Sequence, residues 1–365
     1  MLLKVVLIPL MLMQAVPLLV WVERRGSAFI QDRLGPNRAP GPFGFRAAGL
    51  FHLAADAIKF FTKEAMIPAQ AHKFFFVLAP AVVVIQALMA YAVIPIADDL
   101  VLPAGTIPMS IAHIPGGIVY VFAIASLGVL GIILAGWSSG SKYPLLGAVR
   151  SASQMLSYEV SMGLSVLGIL LIFGTLDLNR IVQEQGQLFG LIPIPRWGLI
   201  YQPLAFVLFT VVGFAECNRS PFDLPEGESE LVAGYHAEYS AMKFSMFFMA
   251  EYIAMITYSS MIVTLFVGGW QIPYLPTDTL RHALIVLIGP SMGPTIGPLI
   301  VAALQILAFV LKLAVFLWLF VWVRWTVPRF RYDQLMNLGW KVILPLTLAN
   351  LAVTATAMAV WGSAQ

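Results

Sequence analysis

LLKVVLIPLMLMQAVPLLVWV, residues 2–22, carries one charge, Lys4. It is long enough to cross a bilayer core, which takes roughly 20 apolar residues. It has no basic leader beyond Lys4 and no AxA cleavage pattern, so it reads as a permanent helix and not a signal peptide. The rest of the chain has the same character. Its 365 residues are 60% hydrophobic and 11% charged, where soluble domains carry about 25% charged residues. Mean hydropathy is +0.87. A chain this apolar uses lipid as its solvent, so its length sets a number of spans and not of soluble domains.

Working outward, apolar runs fall near 2–22, 74–96, 118–137, 152–174, 198–216, 243–267, 299–323 and 338–361. The expected fold is all-α: one polytopic membrane domain over 1–365 with about eight transmembrane helices. A shorter run, 283–290, ends in Gly and Pro and reads as an interfacial or re-entrant element. With eight spans, the loops after spans 1, 3, 5 and 7 share one side. That side holds sixteen Lys and Arg, and the other holds four: Lys4, Arg180, Arg196 and Arg281. The positive-inside rule makes the rich side cytoplasmic and puts both termini outside. Lys312 lies inside span 7, where it pairs with a carboxylate or snorkels toward an interface.

The loop over 23–73 is long. Its first part is rich in Gly and Pro and reads as turns. Then Leu50, Leu53, Ala54, Ala57, Ile58 and Phe61 recur at helical spacing, with His52, Asp56, Lys59 and Lys63 opposite. This predicts an amphipathic helix on the cytoplasmic side. The segment GSKYPLLGAVRSASQ (140–154) reads as a short basic turn.

The acids are unevenly spread. Of 18 Asp and Glu, six lie between 216 and 238: Glu216, Asp223, Glu226, Glu228, Glu230 and Glu238. A solvated acidic face is the bland reading of the loop 217–242, and Pro225 followed by acids suits the first turn of a short helix. Against it, Pro221, Phe222, Leu224, Leu231 and Val232 interleave with the acids. Glu159, Glu216 and Glu251 lie within or at the ends of spans, where a charge costs roughly 2.5–3.5 kcal/mol on insertion scales, so each faces a polar cavity or, near a helix end, reaches the headgroups. Crowded, desolvated loop carboxyls would be pushed toward neutral pKa. The pattern points to a proton path.

Other chemistry is disfavoured. A single cysteine, Cys217, allows neither an internal disulfide nor a thiolate-held cluster. The five His show no metal-ligand spacing, and there is no GxGxxG or Walker loop. A net charge of +3 is too small to argue for nucleic acid. No internal repeat is visible, which counts against an inverted-repeat transporter.

Five long motifs carry a resemblance: ERRGSAFIQDRLGPNR, ADAIKFFTKEAMIPAQAHKFFFVLAP, GWSSGSKYPLLGAVRSASQMLSYEV, AECNRSPFDLPEGESELVAGYHAEYSAMKF and RYDQLMNLGWKVILPL. Together they resemble the quinone-site membrane subunit (the H-type one) of respiratory complex I, the NADH–quinone oxidoreductase. Two features depart from that family: Ala65 stands where many relatives carry an acid, and the loop before span 7 holds the extra apolar stretch 279–298. The resemblance implies a subunit of a proton-translocating enzyme of the bacterial inner membrane. Quinone would be its substrate, entering from lipid beside span 1 and the amphipathic helix. The chamber would involve Glu23, Arg24, Arg25, Arg33, Asp56, Arg219 and Phe222. The proton path would comprise Asp223, Glu226, Glu228 and Glu230, then Glu216, Glu159 and Glu251. No cofactor would be bound by this chain; NADH, FMN and Fe–S clusters would sit in partner subunits. Partners would be the peripheral-arm Fe–S and quinone-site subunits, and small membrane subunits leading to antiporter-like ones. A membrane-bound hydrogenase subunit, a stand-alone ion transporter and a purely structural anchor are the rival readings.

Overall fold

The first apolar run does not stop at Val22. In a computed structural model, helix α1 spans Leu2–Ile30, so Glu23, Arg24 and Arg25 stand on its last turns and not in a loop. Gly26, which reads as a turn signal, is a packing contact: an added Cβ would lie 3.0 Å from the Trp318 ring. The helix ends only where Asp32 and Gly35 take positive φ. The structure describes residues 2–41, 44, 46–103, 105–189, 192–224, 233–289 and 293–362.

The helices that follow are α2 (Phe51–Thr62), α3 (Lys73–Ala90), α4 (Gly117–Ser138), α5 (Lys142–Phe173), α6 (Leu178–Gln185), α7 (Gly198–Tyr201) and α8 (Pro203–Glu216). After them come α9 (Ala241–Phe266), α10 (Thr277–Ile288), α11 (Gly293–Thr326), α12 (Tyr332–Asn337) and α13 (Leu344–Gly362). Two small antiparallel hairpins, 100–107 and 188–195, are the sheet structure among the described residues. Among the described residues, seven helices are long and apolar enough to cross a membrane; α8 is apolar but shorter. The protein is an all-α polytopic membrane protein.

Three boundaries differ from the sequence reading, each for a local reason. The run 198–216 is broken at Gln202, because Pro203 has no N–H to give and starts a new helix at its first position. The basic segment 140–154 is not a turn: α5 begins at Lys142, with Pro144 in its first turn where a missing donor costs little. Residues 283–288 belong to α10, which starts at Thr277, has no buried residue and folds back on α11.

Helices α3, α4 and α5 pack in sequence, and α8 and α13 lie on α5. Helix α9 is the most enclosed, with contacts to α3, α8, α11, α1 and α2. The amphipathic helix α2 rests on α1 and α9 with no residue fully buried. On α5, Gly147 lets the turn Gly234–His236 approach, since a Cβ there would lie 2.7 Å from the Tyr235 nitrogen. Both atoms are held by backbone, so Gly147→Ala should cost about 1–3 kcal/mol of overpacking. The expected result is a lower melting temperature of the detergent-purified complex; an unchanged one would show that the turn yields.

Candidate functional site

Glu23 is the acid at the junction. It is 7% exposed. One oxygen accepts from Arg324 at 2.5 Å; the other accepts from the Tyr252 hydroxyl at 2.7 Å and lies 3.5 Å from Arg219. These partners come from α11, from α9 and from the loop after α8. The Arg219 guanidinium also lies over the Tyr252 ring, 4.0 Å from its centre. Burial works against the Arg219 charge, but Tyr252, Glu23 and Glu251 around it hold its pKa above the ordinary value.

Beside Glu23 is a cavity of about 480 Å³. Glu23, Arg24, Arg33, Arg38, His52 and Trp325 are among its lining residues. Charged side chains are prominent in its lining, and it is large enough for a ring-sized ligand. Of the other chamber candidates, Asp56 stands one step back, paired with Arg24 at 2.6 Å. Arg25 turns to the backbone, donating to Ala48 and Leu34 carbonyls, and so fixes the loop instead of lining the cavity. Phe222 is buried between Tyr158 and Phe330, at 5.7 and 5.4 Å, and is likewise not a lining residue.

The loop that carries Arg219 is pinned from below. Gln154 Nε2 donates to the carbonyls of Ala215 and Phe222 at 2.8 and 2.9 Å. Asp223 is buried and pairs with Arg329 at 2.8 Å, and Phe330 N donates to the Pro221 carbonyl. Glu226, Glu228 and Glu230, with Pro225, lie outside the described residues. Burial, then the Glu216 charge, pushes the Cys217 thiol well above its ordinary pKa, so it stays a neutral packing residue.

From this junction a series of carboxylates leads into the bundle. Glu251 follows, with the Tyr235 hydroxyl donating to it at 3.1 Å and Arg219 within electrostatic reach. Glu216 closes α8 and is bonded by the Tyr258 hydroxyl. One of its oxygens, Oε2, is buried with no hydrogen-bond partner among the described residues. It lines a second, small cavity of about 40 Å³ with Gln86, Thr257 and Tyr258, a volume sufficient for a water molecule. Glu159 on α5 interacts electrostatically with Glu216 and accepts a hydrogen bond from Ser126 of α4. The structure thus groups Glu23 and Glu251 around Arg219, and Glu216 with Glu159, with Cys217 within electrostatic reach of Glu216, Arg219 and Glu251.

Sequence reasoning missed the hydroxyls and one cation. Tyr252, Tyr258 and Tyr235 each serve a different carboxylate, and Arg324 closes the Glu23 site. A signal existed: Glu251 and Tyr258 are seven residues apart, hence on one helix face, and Tyr252 adjoins Glu251. Arg324 gave none, because its partner lies some 300 positions away in sequence.

A family model described as NADH dehydrogenase matches residues 3–355. The chain belongs to the NADH dehydrogenase family. It is 44% identical to the H subunit of the NADH-quinone oxidoreductase of Bdellovibrio bacteriovorus, over 97% of this chain and 94% of that one. It is 45% identical to the protein of the same name from Salinibacter ruber, over 95% and 92%. It is also 42% identical to the first of the numbered H subunits of the NADH-quinone oxidoreductase of Cytophaga hutchinsonii, over 92% and 89%. The match to the NADH dehydrogenase family model takes in α1 with Glu23, the loop with Arg219 and all three carboxylates of the series.

Proposed function

We propose that this chain is the H-type membrane subunit of a proton-translocating NADH–quinone oxidoreductase in a bacterial inner membrane. The Glu23 cavity takes the quinone head group, and Arg219, Glu251, Glu216 and Glu159 begin the proton path. The observation that carries this reading is the joint: a polar cavity closed by Glu23, which shares Arg219 with a buried carboxylate series. The names of the relatives favour it over a hydrogenase subunit or a stand-alone transporter. Sixteen Lys and Arg against four orient the cavity to the cytoplasm and both termini outward.

Electrons would reach the quinone from an Fe–S cluster of a partner subunit, with NADH, FMN and the other Fe–S clusters also held by partner subunits. Two electrons and two protons convert quinone to quinol. The head group passes through added negative charge, which draws on the guanidiniums at the cavity floor. Arg219 lies between the Glu23 and Glu251 charges, so any change in its pairing with one alters the other's field. Glu251 then exchanges protons with Glu216, whose free oxygen faces the small cavity, and Glu216 with Glu159. Small membrane subunits leading to antiporter-like ones would receive them.

An azido-quinone, photolysed on the assembled complex during NADH oxidation, tests the assignment. The label is expected in the segments 23–38 and 51–62, and excess quinone should compete it away. Labelling of this chain only on its lipid face, without competition, would overturn the chamber assignment.

A further inference from the structure

Helix α9 carries more polar groups than the carboxylate series uses. From Glu251 to Thr264 it runs about 20 Å at 1.5 Å per residue. Over that length Thr257, Tyr258, Ser259, Ser260 and Thr264 are all buried. Ser259 Oγ has no hydrogen-bond partner among the described residues. Gln185 extends this column: it donates to the Thr264 carbonyl at 2.9 Å and accepts from Gly268 N at 2.9 Å. Beyond the helix end, Gln271, Thr277, Gln305 and Asp98 are hydrogen-bonded in series. Asp98 then meets Arg281 at 3.6 Å. Polar groups therefore reach from the acidic series to the end of the bundle opposite the Glu23 cavity. A column like this, once wet, would carry protons straight through the membrane and dissipate the gradient.

Lys312 of α11 stands across it. Its Nζ donates to the carbonyls of Val267, Gly269 and Gln271 at 2.8, 3.0 and 2.7 Å. It also lies 5.2 Å from the centre of the Trp197 ring. Three carbonyl acceptors match the three N–H bonds of an ammonium; a neutral amine has only two. The carbonyls sit at the C-terminal end of α9, the negative end of its dipole, and form a cage that a free cation would otherwise favour. Neither sequence alternative for Lys312, a carboxylate partner or snorkelling, describes this. Phe316, four residues further along α11 than Lys312, packs edge-on with Phe206, which also meets Phe266 edge-on, at 6.1 and 5.6 Å.

We propose that Lys312 is a fixed-charge proton seal: its ammonium, held in the carbonyl cage at the end of α9, keeps the buried polar column from conducting to the far side, so that protons leave sideways through Glu159. A fixed positive charge repels an excess proton, the device by which some pores exclude protons. At a separation of about 10 Å and an effective dielectric of about 20, Coulomb's law makes the passage roughly 15-fold rarer. The proposal rests on the proton-path reading above.

The test uses the whole complex in proteoliposomes. With turnover blocked by omitting NADH, the decay of an imposed pH gradient reports the seal alone. Lys312→Gln keeps two N–H donors for the cage but no charge, and should raise the protein-dependent decay about tenfold. Lys312→Arg keeps the charge and should decay as the parent does. Under turnover, Lys312→Gln should reduce quinone at a near-parental rate while building a smaller gradient. Equal decay in Lys312→Gln and the parent, at equal assembly, overturns the seal. Failure of the path itself would appear separately, as normal pumping in a Glu216 variant.

Discussion

Glu23→Gln is expected to abolish most quinone reduction while leaving NADH oxidation by a water-soluble electron acceptor intact. The carboxylate is the only acid between Arg219 and Arg324 among the described residues that contact it. Gln keeps the shape but leaves two guanidiniums facing a neutral group, one of them 5% exposed. Breaking one partner out of a buried pair costs on the order of 3–5 kcal/mol, because a charge is left uncompensated. Some of that will be relieved by Arg324, which is 28% exposed and can turn toward water. Loss of alignment at the cavity floor should lower quinone turnover by about 100-fold, the scale on which misplacement of a reacting group by an ångström acts. Parental quinone turnover in an assembled Glu23→Gln complex would remove this cavity from the reaction.

The second large effect is expected for Glu216→Gln. NADH-driven quinone reduction and the accompanying proton gradient are to be measured together on the same membranes. A positioned proton-transfer group contributes about 10²–10⁴-fold. If Glu216 is an obligatory carrier, both quantities should fall in parallel by roughly 100-fold. The amide still accepts from Tyr258, so helix packing around α8 should survive. Normal reduction with normal pumping would make Glu216 a structural carboxylate, and the small cavity it lines would have no part in the path. Full reduction with a lost gradient would instead place Glu216 downstream of a step that can slip.

How far each of these residues could be read from the sequence follows from the range of the forces involved. Glu216 and Glu251 were legible because a carboxylate in an apolar run is expensive wherever the helix sits. Glu23 and Arg324 were not legible as a pair: each lies near a span end, where a charge reads as reaching for headgroups. Arg25 and Phe222 were placed in the chamber by resemblance, and their side chains turn instead to backbone carbonyls and to an aromatic stack. Lys312 was visible as an anomaly, but its acceptors are backbone carbonyls, which no side-chain pattern announces.

By itself the sequence determined that this is an all-α membrane protein with several membrane-spanning helices. Lipid offers no hydrogen bonds, so a long apolar run has only the helix open to it, and that constraint acts on each segment separately. It also determined where acid is concentrated. Only the tertiary structure decided which acids meet which cations and hydroxyls. It carried α1 past Val22 to bring Glu23 to Tyr252 and Arg324, broke the 198–216 run at Pro203, and set Lys312 in the carbonyls at the end of α9. Those outcomes depend on helices crossing at a few ångströms between residues far apart in the chain, and hydropathy holds no information about which helix becomes whose neighbour.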